Sequence, residues 1–245
     1  MATNYGDAVG SLDSLLTVQD IDTSLDQLRH RRDTLAERAE LVEAIATARA
    51  ASDAVDDTYG RLHQVQQAQK ALEDESATAG DKAAHVDRML YGGTVKAAKE
   101  LEAYQVDLAL LQARVASIDD QVLELMEQAE PLEAELVEQR EALAAAESAV
   151  ASAEDRLVVA EAEIDAEVDR VAAGRADAVA GLPAEVVELY EALRRSLGGV
   201  GAARLHGARC EGCHLEIPSA ELEGIRHAPD DTVPECPECG RILVR

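Results

Sequence analysis

The 245-residue chain carries 49 acidic against 23 basic residues, a net charge of −26, and only 2% aromatic residues, with neither Phe nor Trp. That composition excludes a thick aromatic core and suits long helices built from Ala, Leu, Val, Glu and Arg. The charge repels nucleic acid and anionic membranes at long range, and no apolar run approaches the roughly 18 residues that a membrane span needs.

Residues 1–10 read as a short leader. They lack a basic stretch followed by an apolar core, so no signal peptide is expected and a cytoplasmic location follows. Ser11 is a candidate N-cap, with Asp13 in the first turn where the helix dipole favours an acid. From Leu12 to Tyr91 there is no Pro, and Leu12, Leu16, Ile21, Leu25, Leu28, Leu35, Val42, Ile45, Val55, Tyr59, Leu62, Val65 and Leu72 recur helically. One long helix is predicted here, softened near Gly80.

Leu90-Tyr91-Gly92-Gly93-Thr94 predicts a helix stop and a reversal, with Thr94 capping the helix that follows. From Asp81 to Glu100 the bases Lys82, Arg88, Lys96 and Lys99 outnumber Asp81, Asp87 and Glu100, a local reversal of sign. Relief of repulsion at a crowded turn and a docking surface both account for it.

The stretch from Leu101 to Val171 holds the strongest pattern. Alternate steps of three and four residues visit 21 positions, 19 of them apolar or Tyr; only Gln139 and Glu167 are not. A repeat of 3.5 residues over about ten heptads marks a left-handed coiled coil. A fold at Gly92 brings residues 12–91 opposite this seam, so the partner is in cis and the product is an antiparallel hairpin, on the order of 110 Å long. The same fold places Arg29, Arg31 and Arg32 near Glu154 and Asp155. Pro131 lies inside the second helix and predicts a kink, because the seam keeps its phase on both sides.

The pattern fades over 172–182. Pro183 then opens a shorter helix that ends at Leu197-Gly198-Gly199, and from Val200 short strands and turns are expected. The predicted organisation is therefore mainly α: a leader (1–10), a coiled-coil hairpin (11–182, tip near 91–95), a connecting helix (183–199) and a small β ribbon (200–245).

Cys210-Glu211-Gly212-Cys213 and Cys236-Pro237-Glu238-Cys239-Gly240 are the chemistry of the chain. Two thiolates three residues apart on a tight turn reach one ion, and two such turns close a tetrahedral shell for one structural Zn2+ at Cys210, Cys213, Cys236 and Cys239. Gly212 and Gly240 are expected to let the turn backbone approach the sulfurs. His214 is read as a neighbour, since four thiolates suffice. A closed shell leaves no open position to activate water, and no phosphate loop or catalytic constellation is present, so the chain reads as no enzyme. The isolated His30, His63 and His85 read as surface residues.

These features resemble a bacterial family with a long coiled-coil hairpin and a C4-type zinc ribbon. The residues that carry the resemblance are Leu15-Leu16-Thr17-Val18-Gln19-Asp20, Leu90 to Lys96 with Lys99-Glu100-Leu101, Leu189-Tyr190-Glu191, Cys210-x-x-Cys213-His214, and Cys236-Pro237-x-Cys239-Gly240-Arg241-Ile242-Leu243. Ala97-Ala98 departs from the usual Asn-Pro and is expected to let the second helix start earlier. The resemblance implies an adaptor or chaperone-like role, in some members linked to flagellar or type III secretion proteins, while others resemble nucleic-acid binders. Two functions are therefore expected. One is a non-enzymatic adaptor, monomer or homodimer, that binds protein partners through hairpin and ribbon. The other is an RNA- or DNA-binding regulator, disfavoured because acids outnumber bases in the ribbon and no aromatic platform is present there.

Overall fold

The computed structural model describes residues 12–229 and 232–245; the expected leader and the Ser11 cap lie outside them. The elements run α1 (Asp13–Asp33), α2 (Ala36–Tyr91), α3 (Ala98–Val179), α4 (Ala184–Ser196), β1 (Ala202–His206), β2 (Arg209–Cys210), α5 (Ser219–Arg226) and β3 (Ile242–Val244). Two compact units form, one joining the chain up to Ala39 with Asp155–Arg245, the other spanning Glu40–Glu154.

The second unit is the antiparallel helical hairpin of α2 and α3. Its turn occupies residues 92–97 and needs both glycines, for different reasons. A Cβ on Gly92 would lie 2.4 Å from the Arg88 carbonyl oxygen, and Gly93 has φ +73, which side chains disfavour. Thr94 does not cap α3. The helix begins at Ala98, where the amides of Glu100 and Leu101 donate to the Ala97 carbonyl. Leu62 of α2 packs with Ala129, Leu132 and Leu136 of α3 on both sides of Pro131, and α3 continues through that proline. All 21 seam positions of α3, in both units, are buried or half-buried, whereas the off-seam Val106, Leu110, Leu123 and Val137 are exposed. The 3.5-residue repeat thus marks the packed stripe.

In the first unit the predicted single N-terminal helix is broken, at Thr34 rather than Gly80. Thr34 takes φ −106, and its amide and hydroxyl both donate to the His30 carbonyl, at 3.0 and 2.8 Å. A Thr hydroxyl that competes for a backbone acceptor favours a helix end. The Arg38 side chain spans the break to the Arg32 carbonyl. At Gly80, α2 continues unbroken. The arginine register also differs from the expected one: Arg32 pairs with Asp165 and Glu161, Arg31 with Glu167 and Arg29 with Asp26, none of them with Glu154 or Asp155. The turn extends to Ala97 rather than closing at Gly92, which accounts for part of the shift of the Arg31 and Arg32 partners along α3, while Arg29 pairs within α1.

The small sheet has order β2-β1-β3, with β1 antiparallel to β2 and parallel to β3. It is a central layer. Ala202, Ile242 and Val244 face Leu15, Val18, Val186 and Tyr190 of α1 and α4. The alternate residues Ala203 and Leu243 face Ile217, Leu222 of α5, Cys210 and Cys236. Side chains alternate across a strand, so every residue of β3 is buried. At about 1.5–3 kcal/mol for each large aliphatic side chain, this sandwich ties the ribbon to α1 and α4. The helix α5, between the cysteine pairs, was not expected from the sequence.

Candidate metal centre

The two cysteine pairs sit on two turns with the same hydrogen-bond plan. The Cys210 amide donates to the Leu215 carbonyl (3.1 Å) and the His214 amide returns to the Cys210 carbonyl (2.8 Å). The Cys236 amide donates to the Arg241 carbonyl (2.8 Å) and the Gly240 amide returns to the Cys236 carbonyl (2.8 Å). Each turn closes on a left-handed residue directly after its second cysteine: His214 at φ 63 and Gly240 at φ +72. His214 therefore holds a backbone role, for which His is one of the tolerated side-chain-bearing residues. Its carbonyl accepts from Arg209 Nε at 2.8 Å, and it stands outside the sulfur cluster.

Gly212 brings its backbone to the Cys210 sulfur, as expected, and also leaves room for close packing with a side chain and a strand. A Cβ there would lie 2.6 Å from Arg241 Cδ and 2.9 Å from Ala203 Cβ. Arg241 is a residue whose role sequence reasoning missed. Its side chain lies over the first turn, adjoins Cys239 on the second, and donates to the carbonyls of Val200 (3.0 Å) and Leu197 (3.2 Å) beyond α4.

The four Sγ atoms lie within 4.8 Å of one another, with Cys210–Cys239 at 4.0 Å and Cys213–Cys236 at 3.9 Å. A tetrahedral zinc with Zn–S of about 2.3 Å requires sulfur–sulfur edges of about 3.8 Å. The cysteines are free thiols and the donor set is all sulfur, so the residues fit one structural zinc ion with no open coordination position. Among the described residues this is the one such cluster. Burial pushes the Cys236 thiol up to about 12 and raises Cys210 as well. At Cys239 burial also pushes upward, but hydrogen bonds from the Arg241 backbone and side chain, together with those from Cys236 and Cys213, outweigh it and bring the thiol to about 7. Zinc binds thiolates, so loading must displace protons. Calorimetry in buffers of differing ionisation enthalpy should show proton release at neutral pH, and the affinity should weaken steadily as pH falls. A pH-independent affinity would contradict this chemistry.

Around the ribbon a buried polar clamp joins α1 to the chain after α4. Gln19 Oε1 accepts from the amides of Gly201 (2.8 Å) and Ala202 (3.3 Å), while its Nε2 donates to the Gly199 carbonyl (3.0 Å). Asp22 accepts from Arg175 (2.7 and 3.2 Å) and from the Tyr190 hydroxyl (2.9 Å), and Arg194 lies beside it. Burial, and then the bond to Asp22, raise the Tyr190 pKa. Arg194 also pairs with Asp26, and Arg175 with Glu191. Sequence reasoning singled out Gln19 and Tyr190 as parts of motifs but assigned them no partner.

Residues 18–198 match the family described as the CT398-like coiled coil hairpin domain, and residues 209–243 match the C4-type zinc ribbon domain. The uncharacterized protein Rv2229c of Mycobacterium tuberculosis (strain ATCC 25618 / H37Rv) is 36% identical over 243 residues, covering 95% of this chain and 94% of that protein. A solved structure from Mycobacterium smegmatis superposes with a TM-score of 0.85 at 32% identity, over 97% of this chain and 98% of that one. The structure of CT398 from Chlamydia trachomatis gives a TM-score of 0.70 at 19% identity, over 95% and 96% of the two chains, and shares the fold.

Proposed function

Because the chain belongs to the CT398-like coiled coil hairpin family and carries a C4-type zinc ribbon, we propose that it is a non-enzymatic adaptor or chaperone-like protein of the cytoplasm. In this reading it binds protein partners through its hairpin and its ribbon, and secretion-associated proteins are the partner set the family resemblance suggests. Zinc is structural: four thiolates fill its shell, so it holds the ribbon in shape and offers no site for a substrate.

The observation that carries a protein-binding role over a nucleic-acid-binding one is the use made of the ribbon arginines. Arg209 donates to the His214 carbonyl, Arg226 to Gly207, Arg241 to Val200 and Leu197, and Arg245 to Ile225, Arg226 and Ala228. These guanidinium groups brace the ribbon's own turns and the end of α5. Among the described residues Arg204 is left with no such bond, and one such cation is far short of a phosphate-tracking stripe.

Affinity capture of the full chain from its native cell tests the reading. The expected result is a protein partner that stays bound after nuclease treatment. Partners released by nuclease, together with oligonucleotide binding that has a steep negative salt slope and is lost in Arg204→Ala, would overturn it in favour of the regulator. Arg204 is the clean probe, since Arg209 and Arg241 hold the zinc turns together.

A further inference from the structure

The turn of the hairpin carries a charge pattern that its own stability does not account for. Residues 88–99 hold Arg88, Lys96 and Lys99 and no carboxylate, in a chain of net charge −26. All three cations are exposed. Among the described residues none of the three makes an ion pair or a side-chain hydrogen bond. Elsewhere on the helices Arg32, Arg38, Lys70, Arg114 and Arg175 each meet a carboxylate. Lys96 and Lys99 also flank the start of α3, where the helix dipole disfavours a positive charge. Relief of repulsion would pair them with carboxylates, and among the described residues none of the three is so paired. Between the cations stands Tyr91, with 75% of its surface exposed, next to Gly92 and Gly93.

We propose that this turn is a docking site for a short acidic segment of a protein partner, with an apolar side chain of that segment resting on Tyr91. The patch has sharp limits. Asp87 precedes Arg88 directly and Glu100 follows Lys99 directly. A nucleic acid, with one charge about every 1.7 Å of duplex axis, would run past the cations and meet these carboxylates. A short acidic peptide ends before it does. The cations pull the segment in and set its orientation, and the exposed ring supplies the desolvated contact that slows its release.

The proposal deepens the adaptor reading by naming the chemistry of one partner contact. The test is selection of short random peptides on the full chain at low salt, each selected peptide then being measured against the triple variant Arg88→Glu/Lys96→Glu/Lys99→Glu. These side chains are exposed, and circular dichroism verifies the variant's fold. The expected outcome is enrichment of acidic peptides with one aromatic or large aliphatic residue. Their affinity should fall at least about tenfold in the triple variant, should weaken with salt, and should fall again in Tyr91→Ala. Enriched peptides that are neutral or basic, or that bind the variant equally well, overturn the tip site while leaving the adaptor reading intact. Failure to enrich acidic peptides at all also overturns it. A single-stranded oligonucleotide of similar length that binds more tightly than the peptides, and loses affinity in the same variant, would assign the tip to nucleic acid instead.

Discussion

Cys236→Ser is expected to unfold the ribbon while leaving the helical hairpin in place, and so is removal of zinc by a strong chelator. The ribbon's own strands have five, two and three residues and its helix α5 has eight. Its inner core holds Ala203, Ile217, Leu222 and Leu243 with two of the cysteines. So small a set cannot offset the conformational entropy of some forty residues at roughly 1–2 kcal/mol each. The metal supplies the difference: structural zinc in comparable small modules contributes on the order of 10–16 kcal/mol of apparent binding free energy. Without it, the buried Cys210 and Cys236 lose the ion that justifies their placement. Hydrogen exchange read by mass spectrometry should show fast exchange over 202–245 in the variant and unchanged protection over 40–154. The loss of helical ellipticity should be little more than α5 and a weakened α4. Protection of 202–245 surviving zinc removal would show that the packing of Ile242 and Val244 against Leu15 and Tyr190 suffices without metal.

Asp22→Ala is expected to destabilise the chain by about 3 kcal/mol or more, the usual result of removing one partner from a buried ion pair. Asp22 is 3% exposed and is shared by Arg175, Arg194 and Tyr190. Its removal leaves two partly buried guanidinium groups facing a cavity, with only Glu191 and Asp26 to offset them. Tyr190→Phe, which deletes one hydroxyl donor to Asp22, should cost about 1 kcal/mol. Urea unfolding of the single variants and the double variant completes a cycle. A coupling energy near zero would show that Tyr190 packs against α1 without using its hydroxyl. The network lies where α1 and α4 meet the strands, so the same variants should make the ribbon's amides exchange faster even with zinc bound.

Local periodicity made much of this molecule legible before any coordinates. The seam from Leu101 to Val171 is the buried stripe of α3, because a helix exposes its packing face at fixed spacing. The two Cys-x-x-Cys turns declared the metal site, because ligand spacing is set by turn geometry rather than by distant sequence. What escaped was information held in long-range pairing or in weak local competition. The break at Thr34 has no Gly or Pro to announce it, only a Thr whose hydroxyl reaches the His30 carbonyl. The register of Arg32 depends on where the turn ends, at Ala97, and that residue gives no sign of being a helix boundary. Gln19 reads as one more polar residue on a helix, and its partners lie about 180 positions away. Arg241 read only as part of the cysteine motif, yet its length lets it bridge the zinc turns to the end of α4. His214 was weighed as a ligand, and its φ of 63 shows why a residue tolerant of the left-handed region stands there. The helix α5 opens after Pro218 with Glu221 in its first turn, a start signal that was present but overlooked in a segment read as strands.

The central claim is that four thiolates close around one zinc ion and leave it no chemistry beyond holding the ribbon. Zinc K-edge X-ray absorption on the purified full chain tests it most directly. The expected spectrum has one zinc per chain with four sulfur neighbours at about 2.3 Å and no oxygen or nitrogen in the coordination shell. A shell with a light-atom ligand in place of one sulfur would mean an open or substituted position, and would contradict both the structural assignment and the non-enzymatic reading that depends on it.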